Sequence, residues 1–160
     1  MGAGVTTAGA NRQLARLAEL LGSKSHDALP SDFPLAVATT GYPLPRELRA
    51  LAGSSDTALV VGSKLGAECT GRGHLPLPAG LAQIDVDPAE IGRNYPAAVG
   101  IVADARLALE ALLDTLGDLP GARPSRLGEV VAAREAARTR ARRLRRVVGH
   151  ARRRAGCAAT

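Results

Sequence analysis

Apolar positions recur along this chain in two rhythms. After a small, Gly-rich segment over residues 2–10, Leu14, Leu17, Ala18 and Leu21 fall on one helical face. Thr7 is placed to cap that helix and Gly22 to stop it. Residues 23–34 are polar and proline-containing, and read as loop. Leu35 to Ala38 reads as a short strand, and Pro45 to Ala52 as a helix with proline in its first turn. Three short apolar runs follow the other rhythm: Thr57 to Gly62, Leu81 to Val86 and Val99 to Val102. A long Gly/Pro loop over 63–80 separates the first two, and Asp87 is placed to cap a short helix over 88–92. Asp104 caps a further helix, whose apolar face reads as Leu107, Leu109, Leu112, Leu113 and Leu116. Strands alternating with helices predict βαβ units around a parallel sheet, an α/β fold of Rossmann-like, three-layer type.

That pattern ends near residue 117. Residues 118–124 read as a linker, and 125–160 as an Arg-rich helical tail, with Leu127, Val130, Ala137, Ala141, Leu144 and Val148 at helical spacing and the last residues, 155–160, frayed. Charge sharpens the division. Residues 1–117 hold nine Lys/Arg against twelve Asp/Glu, whereas 118–160 hold twelve Arg against three Asp/Glu, so the net charge of +6 comes from the tail. At 160 residues there is room for one domain with a hydrophobic core. One Phe, two Tyr and no Trp disfavour a module that stacks bases on aromatic rings. Cys69 and Cys157 stand far apart, with no Cys/His ligand spacing. There is no secretory signal pattern and no apolar run near the roughly 18–20 residues of a membrane span, so a cytoplasmic setting is the expectation.

Three motifs are candidates for chemistry. Gly2-Ala3-Gly4 precedes a helix, where backbone N–H groups can approach a phosphate, although the spacing is not GxGxxG and a bare glycine turn is the simpler reading. Gly62 ends a strand and Lys64 follows it, at the sheet edge where α/β folds place ligands; the alternative is a solvated lysine. Asp85 and Asp87, two apart in an extended segment, can face ribose hydroxyls or a cation, or serve as a strand end and a helix cap. His26, His74 and His150 are scattered, with no metal or triad spacing.

The string IDVDPAEIGRNYPAAVGIVADARLALEALL, over residues 84–113, resembles the middle domain of thiamine diphosphate-dependent enzymes, the superfamily of acetolactate synthase and benzoylformate decarboxylase. GAGVTTAGANRQLARLAELLG, DALPSDFPLAV and TALVVGSKLG are similar to further segments of it, in order. The resemblance runs from Gly2 to about Leu116. It implies a six-stranded parallel sheet in a domain that does not itself bind thiamine diphosphate. In such enzymes a pyrimidine-binding domain brings a catalytic Glu, and a pyrophosphate-binding domain holds the diphosphate and Mg²⁺ through a GDG…N motif. Some members bind FAD in the middle domain. The implied parent reaction is decarboxylation or carboligation of a 2-oxoacid, which this chain alone is not expected to perform.

Departures from the pattern shape the remaining expectations. The strand before Gly2 is absent, and Ser23 to Asp27 replaces the second strand, which reads as deleted. Phe33 stands at the usual His and Ala103 at a usual Gly, and Gly117-Asp118-Leu119 does not continue as GDG…N. An incomplete sheet exposes its edges, so the chain is expected to be weakly stable or to depend on a partner: the missing pyrimidine- and pyrophosphate-binding domains, or a homo-oligomer. The site expectation is a vestigial nucleotide site of Gly2, Gly4, Gly62, Lys64, Asp85 and Asp87, with FAD or ADP as ligand and no catalytic or metal-ligating residue. Two other classes stay open: a nucleotide-binding or interaction module, and, less favoured, a nucleic-acid binder acting through the Arg-rich tail.

Overall fold

The apolar runs become parallel strands. In the computed structural model, which describes residues 2–26, 28–30, 32–38, 45–117 and 124–157, β3 (Thr57–Val61), β4 (Gly80–Asp85) and β5 (Val99–Val102) form one parallel sheet in the order β3-β4-β5. Val61 lies opposite Ile84, and Ile84 opposite Ile101. Two short strands, β1 (Ser25–His26) and β2 (Ala36–Ala38), pair in parallel as a separate sheet. The helices are α1 (Ala3–Thr7), α2 (Asn11–Leu21), α3 (Arg46–Gly53), α4 (Ala67–Thr70), α5 (Ala105–Gly117) and α6 (Leu127–Cys157).

Period-2 alternation splits the core in two across the larger sheet. Val61 and Ile84 face α1, α2 and α5, where they meet Val5, Leu14, Leu17 and Leu109, all nearly inaccessible. Val60 and Leu81 face the other way, under Leu65, Leu77 and Tyr95. A third cluster joins Val37 of β2 to Leu48 and Leu51 of α3 and Val130 of α6. The first half of the basic helix therefore packs on the fold. Two polar anchors support it: Arg126 N–H donates to the Gly22 carbonyl at 3.0 Å, and Lys24 Nζ donates to Leu51 O at 2.9 Å and lies 3.8 Å from Glu129 Oε2.

Several local expectations are corrected. Thr7 is not the cap of the long helix. It ends α1, its hydroxyl donating to Ala3 O at 3.0 Å, and the chain then breaks at Gly9 with φ +64° before α2 begins. The second strand is shortened rather than deleted, since Ser25 and His26 pair with β2 inside a segment read as loop. The 63–80 loop carries the short helix α4. Leu107 is 62% exposed, because a residue two before the buried Leu109 sits on the opposite side of a helix. The backbone of 155–157, expected to fray, is helical. The linker read at 118–124 lies outside the described residues except for Pro124. Gly22 does end α2 in the left-handed region, and the Asp104 carboxylate accepts from Arg106 N and Leu107 N at the start of α5. Among the described residues no helix is long and apolar enough to cross a membrane.

Candidate functional site at the C-terminal edge of the sheet

Parallel strands send their chain ends to one edge, where α/β folds hold ligands. The six residues expected to form a site lie at or just beyond the C-terminal end of β3 or β4, or on the Gly2–Gly4 turn that packs there. Gly2 N–H donates to Val61 O and Gly4 N–H to Gly62 O, each at 3.1 Å. Gly62 has φ +56°, and a Cβ on it would lie 2.7 Å from Gly4 Cα. A Cβ on Gly4 would lie 2.7 Å from Gly62 Cα, and one on Gly2 would overlap the Gly62 carbonyl oxygen. The three glycines are thus required by backbone meeting backbone, whether or not a ligand binds. Val5 N–H also donates inward, to Gly2 O at 3.2 Å. Three of the N–H groups that a phosphate would use are already engaged.

Lys64 belongs to a charge cluster that the sequence did not reveal. Its Nζ lies 3.5 Å from Glu90 Oε1, and Arg93 donates to the same oxygen at 2.9 Å. The Glu90 side chain is only 6% exposed while both cations are largely in solvent. Among the described residues Glu90 Oε2 has no hydrogen-bond partner. Two cations therefore share one carboxylate. Beneath them lies Gln83, 2% exposed in the middle of β4. Its Nε2 donates to Glu90 O at 2.9 Å and Ser63 O at 3.2 Å, and its Oε1 accepts from Gly92 N at 2.8 Å. Gln83 ties the turn after β3 to the turn after β4. Asn94 adds a further tie, donating to Lys64 O at 2.7 Å.

The aspartates are placed differently. Asp85 Oδ1 accepts from Asp87 N at 3.1 Å, and Asp87 Oδ1 accepts from Ala89 N at 2.9 Å, starting a 3₁₀ turn over Pro88–Glu90. Each carboxylate serves the backbone two residues on. The structure thus brings Gly2, Gly4 and Gly62 into contact, links Lys64 to Glu90 and Arg93, and sets Asp85 and Asp87 into the following turn. A polar Gln between Leu81 and Ile84 was the available signal for the missed residues, since a buried amide must find partners.

Thiamine diphosphate with Mg²⁺ does not fit these residues. Among the described residues no group of three or more His, Cys, Asp or Glu is arranged to hold a metal ion. Asp85 and Asp87 are turned to backbone N–H groups.

Comparison with known proteins gives a consistent result. The family described as thiamine pyrophosphate enzyme, central domain, matches residues 1–112. A sulfoacetaldehyde acetyltransferase of Roseovarius nubinhibens is 36% identical over 130 residues, covering 75% of this chain and 22% of that protein. A probable acetolactate synthase large subunit of Methanocaldococcus jannaschii is 34% identical over 122 residues, covering 72% of this chain and 21% of its own length. A probable 2-ketoarginine decarboxylase of Pseudomonas aeruginosa is 41% identical over a shorter stretch of 59 residues. The chain spans only about a fifth of the length of the first two relatives.

Proposed function

The chain belongs to the thiamine pyrophosphate enzymes, as their central domain, and from that premise we propose that it works as the structural middle of a 2-oxoacid lyase or transferase of the acetolactate synthase or sulfoacetaldehyde acetyltransferase type. Thiamine diphosphate supplies such enzymes with an electron sink for carbon–carbon bond chemistry beside a carbonyl. In this reading the cofactor and Mg²⁺ are held by pyrimidine- and pyrophosphate-binding domains outside this chain, or across a homo-oligomer, in the cytoplasm. The observation that carries the reading is the internal use of the glycine turn: Gly2, Gly4 and Gly62 hold α1 against β3 through their own backbone. Residues 1–117 form the domain, 118–124 the linker and 125–160 the Arg-rich extension.

Calorimetric titration of the isolated chain tests this. Thiamine diphosphate with Mg²⁺ is expected to give no saturable binding heat. Saturable binding of thiamine diphosphate to this chain alone would overturn the proposal.

A second reading has one observation in its favour, the two largely exposed cations Lys64 and Arg93 at this edge. Here the edge made by Gly2, Gly4, Gly62, Lys64, Asp85 and Asp87 keeps a vestigial site for FAD or ADP. Saturable ADP or FAD heat that Lys64→Ala reduces would support it, and heat unchanged by that substitution would remove it.

A further inference from the structure

The arginines of α6 fall into two groups. Six stand within residues 138–146, and after Glu135 no acidic residue follows as far as Arg146. At 3.6 residues per turn, Val130, Ala133 and Ala137 share the side of α6 that packs on β2 and α3. The arginines at the margins of that side are used by the fold. Arg134 donates to Phe33 O at 3.4 Å, and Arg140 Nη1 lies 3.6 Å from Glu47 Oε1. The others are placed differently. Arg138, Arg142 and Arg146 form a row at i, i+4 and i+8, with Arg145 on one flank and Arg143 on the other. Together they span an arc of about 160°, centred opposite the packed side. All five are exposed, and among the described residues none has an ion-pair or hydrogen-bond partner.

Like charges one turn apart repel and disfavour a helix. Arg138 with Arg142, Arg142 with Arg146, Arg142 with Arg145 and Arg143 with Arg146 are such pairs. Nothing within 138–146 offsets them, so the complement of this face is an anion with many charges. Composition and shape choose among polyanions. Between Arg138 and Arg146 the outward face carries Thr139 and no large apolar side chain to sink into a bilayer. No Phe, Tyr or Trp lies on α6, so the bases of a single strand find no stacking platform. An arc of about 160° exceeds what a flat surface touches and suits a groove with charge on both walls. The major groove of B-form DNA, about 12 Å wide, admits a helix about 10–12 Å across, whereas that of an RNA duplex is too narrow.

We propose that the outward face of α6, made of Arg138, Arg142, Arg143, Arg145 and Arg146, binds double-stranded DNA, entering the major groove and pairing with phosphates on both walls. Contacts of this kind fix position without reading bases. The proposal concerns α6 alone and holds or fails separately from the scaffold role.

The test is fluorescence anisotropy of the full chain with a labelled DNA duplex of mixed sequence, about two helical turns long. Five phosphate contacts predict a slope of about −4 in log affinity against log salt. The triple variant Arg138→Gln, Arg142→Gln, Arg146→Gln is expected to bind at least about tenfold more weakly at low salt, with the slope reduced by about 2–3. Glutamine keeps the helix propensity, and an unchanged thermal midpoint is read alongside. Arg140→Gln, which removes an arginine already beside Glu47, is expected to change affinity by less than about threefold. Methyl green, a major-groove ligand, is expected to displace the chain, and netropsin, a minor-groove ligand, to leave it bound. A flat salt dependence or a triple variant that binds like the parent would overturn the proposal. So would equal affinity for an RNA duplex, for single-stranded DNA or for phosphatidylserine vesicles, or displacement by netropsin instead of methyl green.

Discussion

The glycines at the sheet edge show how one residue type carries two readings. A Gly-rich turn before a helix suggests phosphate binding, yet here Gly4 and Gly62 approach until a single methyl group on either would collide with the other's Cα. Gly4→Ala is expected to destabilise the fold by about 1–3 kcal/mol, through displaced backbone at the α1–β3 contact. Urea unfolding of the variant against the parent chain measures it. Gln83 gives a second expectation at this scale. Replacing it with Leu leaves Glu90 O without its partner in a buried place and Gly92 N–H and Ser63 O without theirs in part-buried ones, and is expected to cost about 1–3 kcal/mol. The same unfolding experiment should place Gln83→Leu well below Lys64→Ala, since the Lys64 side chain is 72% exposed and its ion pair is weak in solvent. Gly62 and Lys64 were readable as a strand end and its following loop. Gln83 and Glu90 were not, because their roles depend on turns from two different strands meeting.

At the scale of elements, the strands β3, β4 and β5 were legible almost to the residue. Each is a short aliphatic run without polar alternation, with Gly, Pro or Asp at or near its ends. The first helix was misread at Thr7, because a hydroxyl that can cap the next helix can also bond back to the preceding turn. The seat of α6 was not legible either. Its apolar positions were readable at helical spacing, but not the surface they meet, where Val130 is fully buried against Val37, Leu48 and Leu51. Val130→Ala is expected to cost about 1–3 kcal/mol and to raise amide exchange in α6 and α3 together.

The polar side of that seat makes a pH prediction. The Arg126 hydrogen bond to Glu129 holds its carboxyl below the usual carboxylate range; burial opposes it, and the nearby charges of Arg126 and Lys24 add to the lowering. A carboxyl depressed in the folded state stabilises the fold above its unfolded pKa of about 4.3. That contribution is lost as the pH falls through the folded value. Thermal midpoints of the parent chain and Glu129→Gln should therefore differ at pH 6 and converge towards pH 3. A gap that stays constant across this range would show that Glu129 does not act through its charge.

For the whole molecule, the family was legible because the segment from β4 to α5 carries a specific string, residues 84–113, whose turns and caps the structure explains one by one. The completeness of the sheet was less legible. Ser25 and His26 keep a vestige of a strand where a deletion was read, paired with β2 in a separate sheet. The expectation of weak stability belongs here. Among the described residues β3 pairs only with β4, and β5 carries Val99 and Val102 more than half exposed, so the chain is expected to unfold at low urea with a shallow transition. A steep transition with several kcal/mol of stability would contradict it.

The central claim is that this chain is a scaffold domain whose chemistry lies in the rest of an enzyme. The most direct test is a chimera in which residues 2–112 replace the matching segment of the Roseovarius nubinhibens sulfoacetaldehyde acetyltransferase, to which the chain is 36% identical. Acetyltransferase activity is measured alongside thiamine diphosphate binding. A folded chimera that binds thiamine diphosphate and turns over sulfoacetaldehyde at a rate within about tenfold of its parent, a loss of roughly 1.4 kcal/mol in the barrier, is the expected result. A folded chimera that binds the cofactor without turnover would contradict the claim, because the replaced segment would then have supplied more than a scaffold.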